Sequence, residues 1–104
     1  MKFLVAVMSK TDAPLVADAM CRAGYHSTIT DSYGGFLKEE NAVVFCGVDD
    51  TKVADVMRII KENTSERLVD IPTDVPMGKF KLPPRIKVGR AVVFTFDIDQ
   101  FVRL

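Results

Sequence analysis

Apolar residues along this chain recur at two spacings, every second position in some stretches and every third or fourth in others. The run Phe3-Leu4-Val5-Ala6-Val7-Met8 is unbroken, which predicts a strand over 2–9 buried on both faces. Thr11 is the expected N-cap of a helix, with Asp12 in the first turn and Pro14 where a missing N–H costs nothing. Ala13, Val16, Met20 and Ala23 continue it at helical spacing, and Gly24 ends it as a C-cap. Residues 25–33 are β-branched and aromatic enough for a second strand, and 41–49 form a third. Asp49 or Asp50 caps a second helix on the stripe Val53, Val56, Met57 and Ile60. A looser segment runs through Pro72 and Pro76 to a Pro83-Pro84 corner, and 85–96 reads as the last long strand.

The order β-α-β-β-α-β predicts an α+β fold: a ferredoxin-like antiparallel sheet with both helices on one face. A length of 104 residues supports one domain over 1–104, with a single core. Two helices cover one face of a sheet, yet these strands are apolar on both. Phe3, Val5 and Val7 alternate with Leu4, Ala6 and Met8; Val43 and Phe45 alternate with Val44 and Cys46. A sheet with one wet face would alternate with polar residues instead. The helix-free face, to which Leu4 and Met8 are assigned, therefore needs a cover, and self-association supplies one. The pattern predicts a homo-oligomer.

Charge adds a negative result. With 14 basic against 14 acidic residues, no global field favours nucleic acid or a membrane surface. The composition, 48% hydrophobic and 27% charged, is that of an ordinary soluble domain. The opening apolar run is too short for a signal peptide or a membrane span, so a cytoplasmic location is expected. Cys21 and Cys46 read as reduced core thiols, although their spacing alone does not decide against a disulfide. Between Val75 and Phe96 lie Lys79, Lys81, Arg85, Lys87 and Arg90 with no acidic residue. Such a segment is either a solvated strand edge or a patch facing phosphates or another subunit's acidic surface.

The sequence assembles no reaction centre. His26 is the only histidine, and no nucleophile–base pair can be built around it from spacing. Capping accounts for one of Asp49 and Asp50, and the pair offers too few oxygens for a hard cation; Asp97 and Asp99 read as capping or solvated groups. Gly34-Gly35 lacks the Lys-Ser/Thr of a phosphate-binding loop. No enzyme, metal or cofactor is expected.

What remains is a binding constellation. Gly34-Gly35 joins two strands and is followed at once by Phe36 and Leu37, bulky apolar residues that a hairpin turn does not need. Side chains of that kind on a loop wait for a ligand or a neighbouring subunit. Thr28 offers a hydroxyl, Asn41 an amide, and Gly34 and Gly35 backbone N–H groups open to close approach. Gly47, inside a strand, marks a close approach by a ligand or backbone. Amides beside an aromatic wall suit a nucleobase. A loop buried at an oligomer interface accounts for the same composition.

At these residues the chain resembles the PII-like cyclic di-AMP receptors, a family of bacterial signalling proteins. The likeness runs through Gly34-Gly35-Phe36-Leu37-Lys38 with Asn41, Gly47-Val48-Asp49-Asp50, Ile59-Ile60-Lys61-Glu62-Asn63, Pro76-Met77-Gly78 and Val88-Gly89. It implies a homotrimer of ferredoxin-like subunits that holds cyclic di-AMP as a signalling ligand in clefts between neighbours, with two loops responding. Candidate ligand-binding residues are then His26, Thr28, Gly34, Gly35, Phe36, Leu37, Asn41, Gly47, Phe94 and Arg103. A protein partner, not identifiable from sequence, would read the response.

Several positions depart from the family's pattern. His26 stands where members carry an arginine, Glu39-Glu40 replaces a Ser-Gly, and Ala42-Val43 replaces two threonines. The stretch after Gly78 is shorter, and Arg103 stands where a glutamine is usual. Two functions follow in competition with each other. The first is a nucleotide-binding signal sensor; the second is a divergent scaffold acting through protein contact or another anion.

Overall fold

The computed structural model describes residues 1–33, 40–70 and 85–104. Its elements in chain order are β1 (Lys2–Ser9), α1 (Ala13–Arg22), β2 (Thr28–Tyr33), β3 (Glu40–Val48), a 3-10 turn (Asp50–Lys52), α2 (Val53–Glu62), β4 (Arg67–Asp70), β5 (Arg85–Val88) and β6 (Ala91–Asp97). Four strands form a sheet in the order β2-β3-β1-β6, every neighbouring pair antiparallel. With β6 as the fourth strand this is the α+β, ferredoxin-like architecture expected from the element order. Strands β4 and β5 pair separately, Arg67 opposite Val88 and Asp70 opposite Arg85.

The core lies between one sheet face and the two helices. Leu4, Ala6 and Met8 of β1 are buried there with Ala42, Val44, Cys46 and Val48 of β3. Ala13, Val16 and Met20 close it from α1, and Val56, Ile59 and Ile60 from α2. Leu4 and Met8 thus face the helices, contrary to their assignment to the open face. Both rows of β1 are apolar, so alternation could not decide between them; size does. Ala6 and Ala42 let the helices sit close, while Phe3 and Phe45 stand on the other side.

Register defines that open face. Gly47, Phe3 and Phe96 form one row across β3, β1 and β6; Phe45, Val5 and Phe94 form the next, and Val43, Val7 and Val92 the third. Phe3 stacks obliquely on Phe45 and on Phe96, with centroids 5.9 and 6.5 Å apart. Val92, Phe94 and Phe96 are each 50% or more exposed. This is an apolar surface with no helix over it among the described residues.

Other expectations shift by a few residues. Helix α1 is capped at Asp12, not Thr11, and Asp12 makes no side-chain cap bond of its own. Its carboxylate instead accepts the Ser65 backbone N–H at 3.2 Å, joining the start of α1 to the segment after α2. The final strand is two strands: the chain breaks at Gly89-Arg90, where Arg90 Nε donates to the Thr64 carbonyl, and the halves join different sheets. The four-residue β4 falls in the segment read as loose, because it is too short to show a period. Asp97 is held by an ion pair with Lys2, its cross-strand partner.

The cysteines separate. Cys46 is buried on the helix-facing row, but Cys21 is exposed, one position past Met20 and therefore rotated off the α1 stripe. Both are free thiols, and burial pushes the Cys46 thiol up. A thiol reagent is therefore expected to modify Cys21 in the native protein at once and Cys46 only on unfolding. Equal reactivity of the two would contradict this packing.

Candidate functional site

A cleft of about 430 Å³ opens at the end of the sheet where α1 runs out, β2 begins and β3 ends. Its wall on the α1 side starts from a C-terminal capping motif. Gly24 adopts φ 90°, a conformation that disfavours a side chain. Its N–H donates to the Cys21 carbonyl at 3.0 Å, and the Tyr25 N–H to the Met20 carbonyl at 2.8 Å. The chain then turns into the cleft as Tyr25, His26, Ser27 and Thr28. The strand predicted from residue 25 begins only at Thr28, so residues 25–27 lie outside the sheet ladder.

A side chain ties that segment to α2. The Tyr25 hydroxyl donates to Asp55 Oδ2 at 2.7 Å, while Arg58 donates to Asp55 Oδ1 at 2.7 Å and to Glu62 at 3.0 Å. The hydrogen bond to Asp55 pushes the Tyr25 phenol up, and the same bond, followed by Arg58, holds the Asp55 carboxyl below its usual range. The signs fix the pH window. A lowered carboxyl contributes stability above its ordinary value of 3.8, lost as pH falls through the lowered one. A raised phenol contributes below 10.0, and that is lost as pH rises through the raised value. With Tyr33→Phe leaving Tyr25 the sole tyrosine, phenolate absorbance should rise with a midpoint above 10.0, and Asp55→Asn should bring it down. A midpoint indifferent to Asp55→Asn would contradict the bond.

The opposite wall is the C-terminal segment. The Ile98 N–H donates to the Met1 carbonyl at 3.2 Å, extending the β1–β6 ladder by one bond. The chain beyond it lays Phe101 over Gly47. A methyl group on Gly47 would sit 3.4 Å from Phe101 Cε2 and 3.6 Å from Ile98 Cδ1. The neighbour that approaches Gly47 is a side chain, the chain's own Phe101 ring, where a ligand or backbone was expected, and Arg103 lines the cleft two residues on.

Of the candidates named from sequence, the cleft gathers His26, Thr28, Gly47 and Arg103. Asn41 lies at the other end of β3, opposite Ser9 and Ser32, and Phe94 lies mid-sheet on the open face opposite Val5. Neither lines the cleft. Gly34, Gly35, Phe36 and Leu37 lie outside the described residues, as do Glu39, Lys79, Lys81 and the Pro76-Met77-Gly78 motif. Tyr25, Phe45 and Lys52 line the cleft and were missed from sequence, since their contribution depends on where two helix ends meet. Among the described residues, no group of three or more His, Cys, Asp or Glu side chains is placed to hold a metal ion. No helix among them is long and apolar enough to cross a membrane.

A crystal structure of a functionally unknown protein from Pediococcus pentosaceus ATCC 25745 superposes with a TM-score of 0.75 and 26% sequence identity. The match covers 99% of this chain and 96% of that one, so the fold is shared along the full length. A family model described as cyclic-di-AMP receptor matches residues 1–104 without remainder. The sheet order is compatible with that match, and on it the chain belongs to the cyclic-di-AMP receptor family.

Proposed function

We propose that this protein is a PII-like signal sensor that binds cyclic di-AMP in clefts between the subunits of a trimer. The observation that carries the reading is the convergence of His26 and Thr28, Gly47, and Arg103 on one cleft from three separate parts of a chain in this receptor family. Arg103 supplies a fork suited to a phosphate, Thr28 a hydroxyl, and His26 a ring N–H. The segment holding Gly34, Gly35, Phe36 and Leu37 contributes backbone N–H groups and an aromatic cover for a base. Asn41 and Phe94, distant from the cleft within one chain, act across the junction with a neighbouring subunit. The apolar open face, with its exposed Val92, Phe94 and Phe96, supports self-association. Ligand binding rearranges the segments around 33–41 and 78–84 and so changes the surface offered to a protein partner. The protein is a receptor and carries out no reaction.

A thermal-shift panel of cyclic di-AMP, cyclic di-GMP, AMP and ATP tests this. Cyclic di-AMP should give the largest rise in Tm, because a ligand selective for the folded state stabilises it by mass action. A panel with no shift would favour the divergent scaffold instead. Phe36→Ala should weaken cyclic di-AMP binding by about 1–3 kcal/mol, the range for a base stacked on an aromatic ring. Unchanged affinity would place the base elsewhere.

A further inference from the structure

Lys52 stands at the N-terminus of α2, exposed, on the lining of the cleft. On a helix, its natural partner is the carboxylate three positions on, Asp55. That carboxylate is already occupied on both oxygens: Oδ2 by the Tyr25 hydroxyl and Oδ1 by Arg58, each at 2.7 Å. Lys52 is near enough to help hold the Asp55 carboxyl low, yet among the described residues it makes no side-chain hydrogen bond or ion pair. Arg58 pairs with Asp55 and Glu62 and does not line the cleft, which leaves Lys52 as the cation of this helix end on the lining.

Of the other ionisable groups on the cleft, Tyr25 and Cys46 are pushed up and stay neutral, which leaves His26, Arg103 and Asp49. Asp49 offsets one fixed positive charge, so Lys52 decides whether the permanent charges leave a surplus. With it the cleft carries one net positive charge before His26 is counted; without it, none. We infer that Lys52 is an anion-binding residue of the cleft, available to a phosphate group because Tyr25 and Arg58 keep Asp55 from pairing with it. The inference deepens the reading given above and rests on it for the identity of the ligand. It also gives Tyr25 a second effect: its hydroxyl anchors the cleft wall and keeps a competing carboxylate occupied.

The test titrates cyclic di-AMP and, separately, inorganic pyrophosphate into the full chain and its variants at low and physiological salt. Lys52→Gln should bind cyclic di-AMP roughly tenfold more weakly, the low end for a lost charge-assisted bond at an exposed site. Its affinity should also fall less steeply with salt, because one screened attraction is gone. Lys61→Gln removes the same charge from the far end of α2, outside this cleft, and should bind as the parent does. Tyr25→Phe should weaken binding by freeing Asp55 for Lys52, and Tyr25→Phe with Asp55→Asn should recover most of the loss. Tm measurements check that all variants are folded; a purely structural role for Tyr25 would lower Tm without recovery of affinity in the double variant. If Lys52→Gln and Lys61→Gln bind alike, or the double variant recovers nothing, the inference is wrong. If the parent ignores cyclic di-AMP but binds pyrophosphate in a Lys52-dependent way, the inference stands and the choice of ligand falls. If the parent binds neither anion, both fail.

Discussion

Aspartate at both Val92 and Phe96 is expected to convert the proposed trimer into a folded monomer. Both positions lie on β6 and face away from the helices, 57% and 54% exposed in the single chain. The core of one subunit therefore loses little beyond the oblique Phe3–Phe96 contact, 6.5 Å between centroids. In the proposed trimer the same side chains are covered; fully burying a large apolar side chain is worth about 1.5–3 kcal/mol, and roughly half of that is left to gain from their present exposure. The substitution removes that contribution and places unpaired carboxylates at the interface, at a cost of several kcal/mol each. Every copy carries both changes, so the effect multiplies through the assembly. Light scattering should report three times the chain mass for the parent and one for the variant, with similar circular dichroism. A parent already monomeric at micromolar concentration would remove the claim.

His26→Arg should strengthen cyclic di-AMP binding by about tenfold to a hundredfold, the equivalent of roughly 1.5–3 kcal/mol for a charge-assisted bond. His26 is exposed on the cleft wall immediately after the Tyr25 anchor, so a longer side chain has room to reach across the opening. The guanidinium brings a permanent charge and a fork that fits phosphate geometry. Solvent screening of an exposed pair places the gain towards the lower end of the range. Calorimetric titration at fixed salt measures it. No gain would mean that another cation, Arg103 or Lys52, already fills the role.

The sequence exposed the fold more fully than the site, for reasons visible in particular residues. Helix α2 was legible because Val56 and Ile60 keep the period of a helix with one buried stripe. The end of α1 was legible because Gly24 is required at a positive φ. Which face of β1 meets the helices was not, since Leu4-Ala6-Met8 and Phe3-Val5-Val7 are equally apolar and only packing against α1 and α2 separates them. The break at Gly89-Arg90 was hidden because both halves of 85–96 have strand composition, and the Arg90–Thr64 bond that fixes it spans 26 positions. The site followed the same rule. His26, Thr28, Gly47 and Arg103 were named from motif and resemblance, and the fold brings them together. Lys52 and Tyr25 carry no motif. Their role arises from Asp55, 30 residues after Tyr25, and no local pattern encodes that meeting.

The most direct measurement is a calorimetric titration of cyclic di-AMP into the parent and into the Val92→Asp, Phe96→Asp double variant at equal chain concentration. Clefts completed by neighbouring subunits predict saturable binding to the trimeric parent with one ligand per chain. The same account predicts no measurable heat of binding for the folded monomer, although its own His26, Thr28 and Arg103 are intact. Equal affinity for trimer and monomer, or a parent that takes up no cyclic di-AMP, would contradict it.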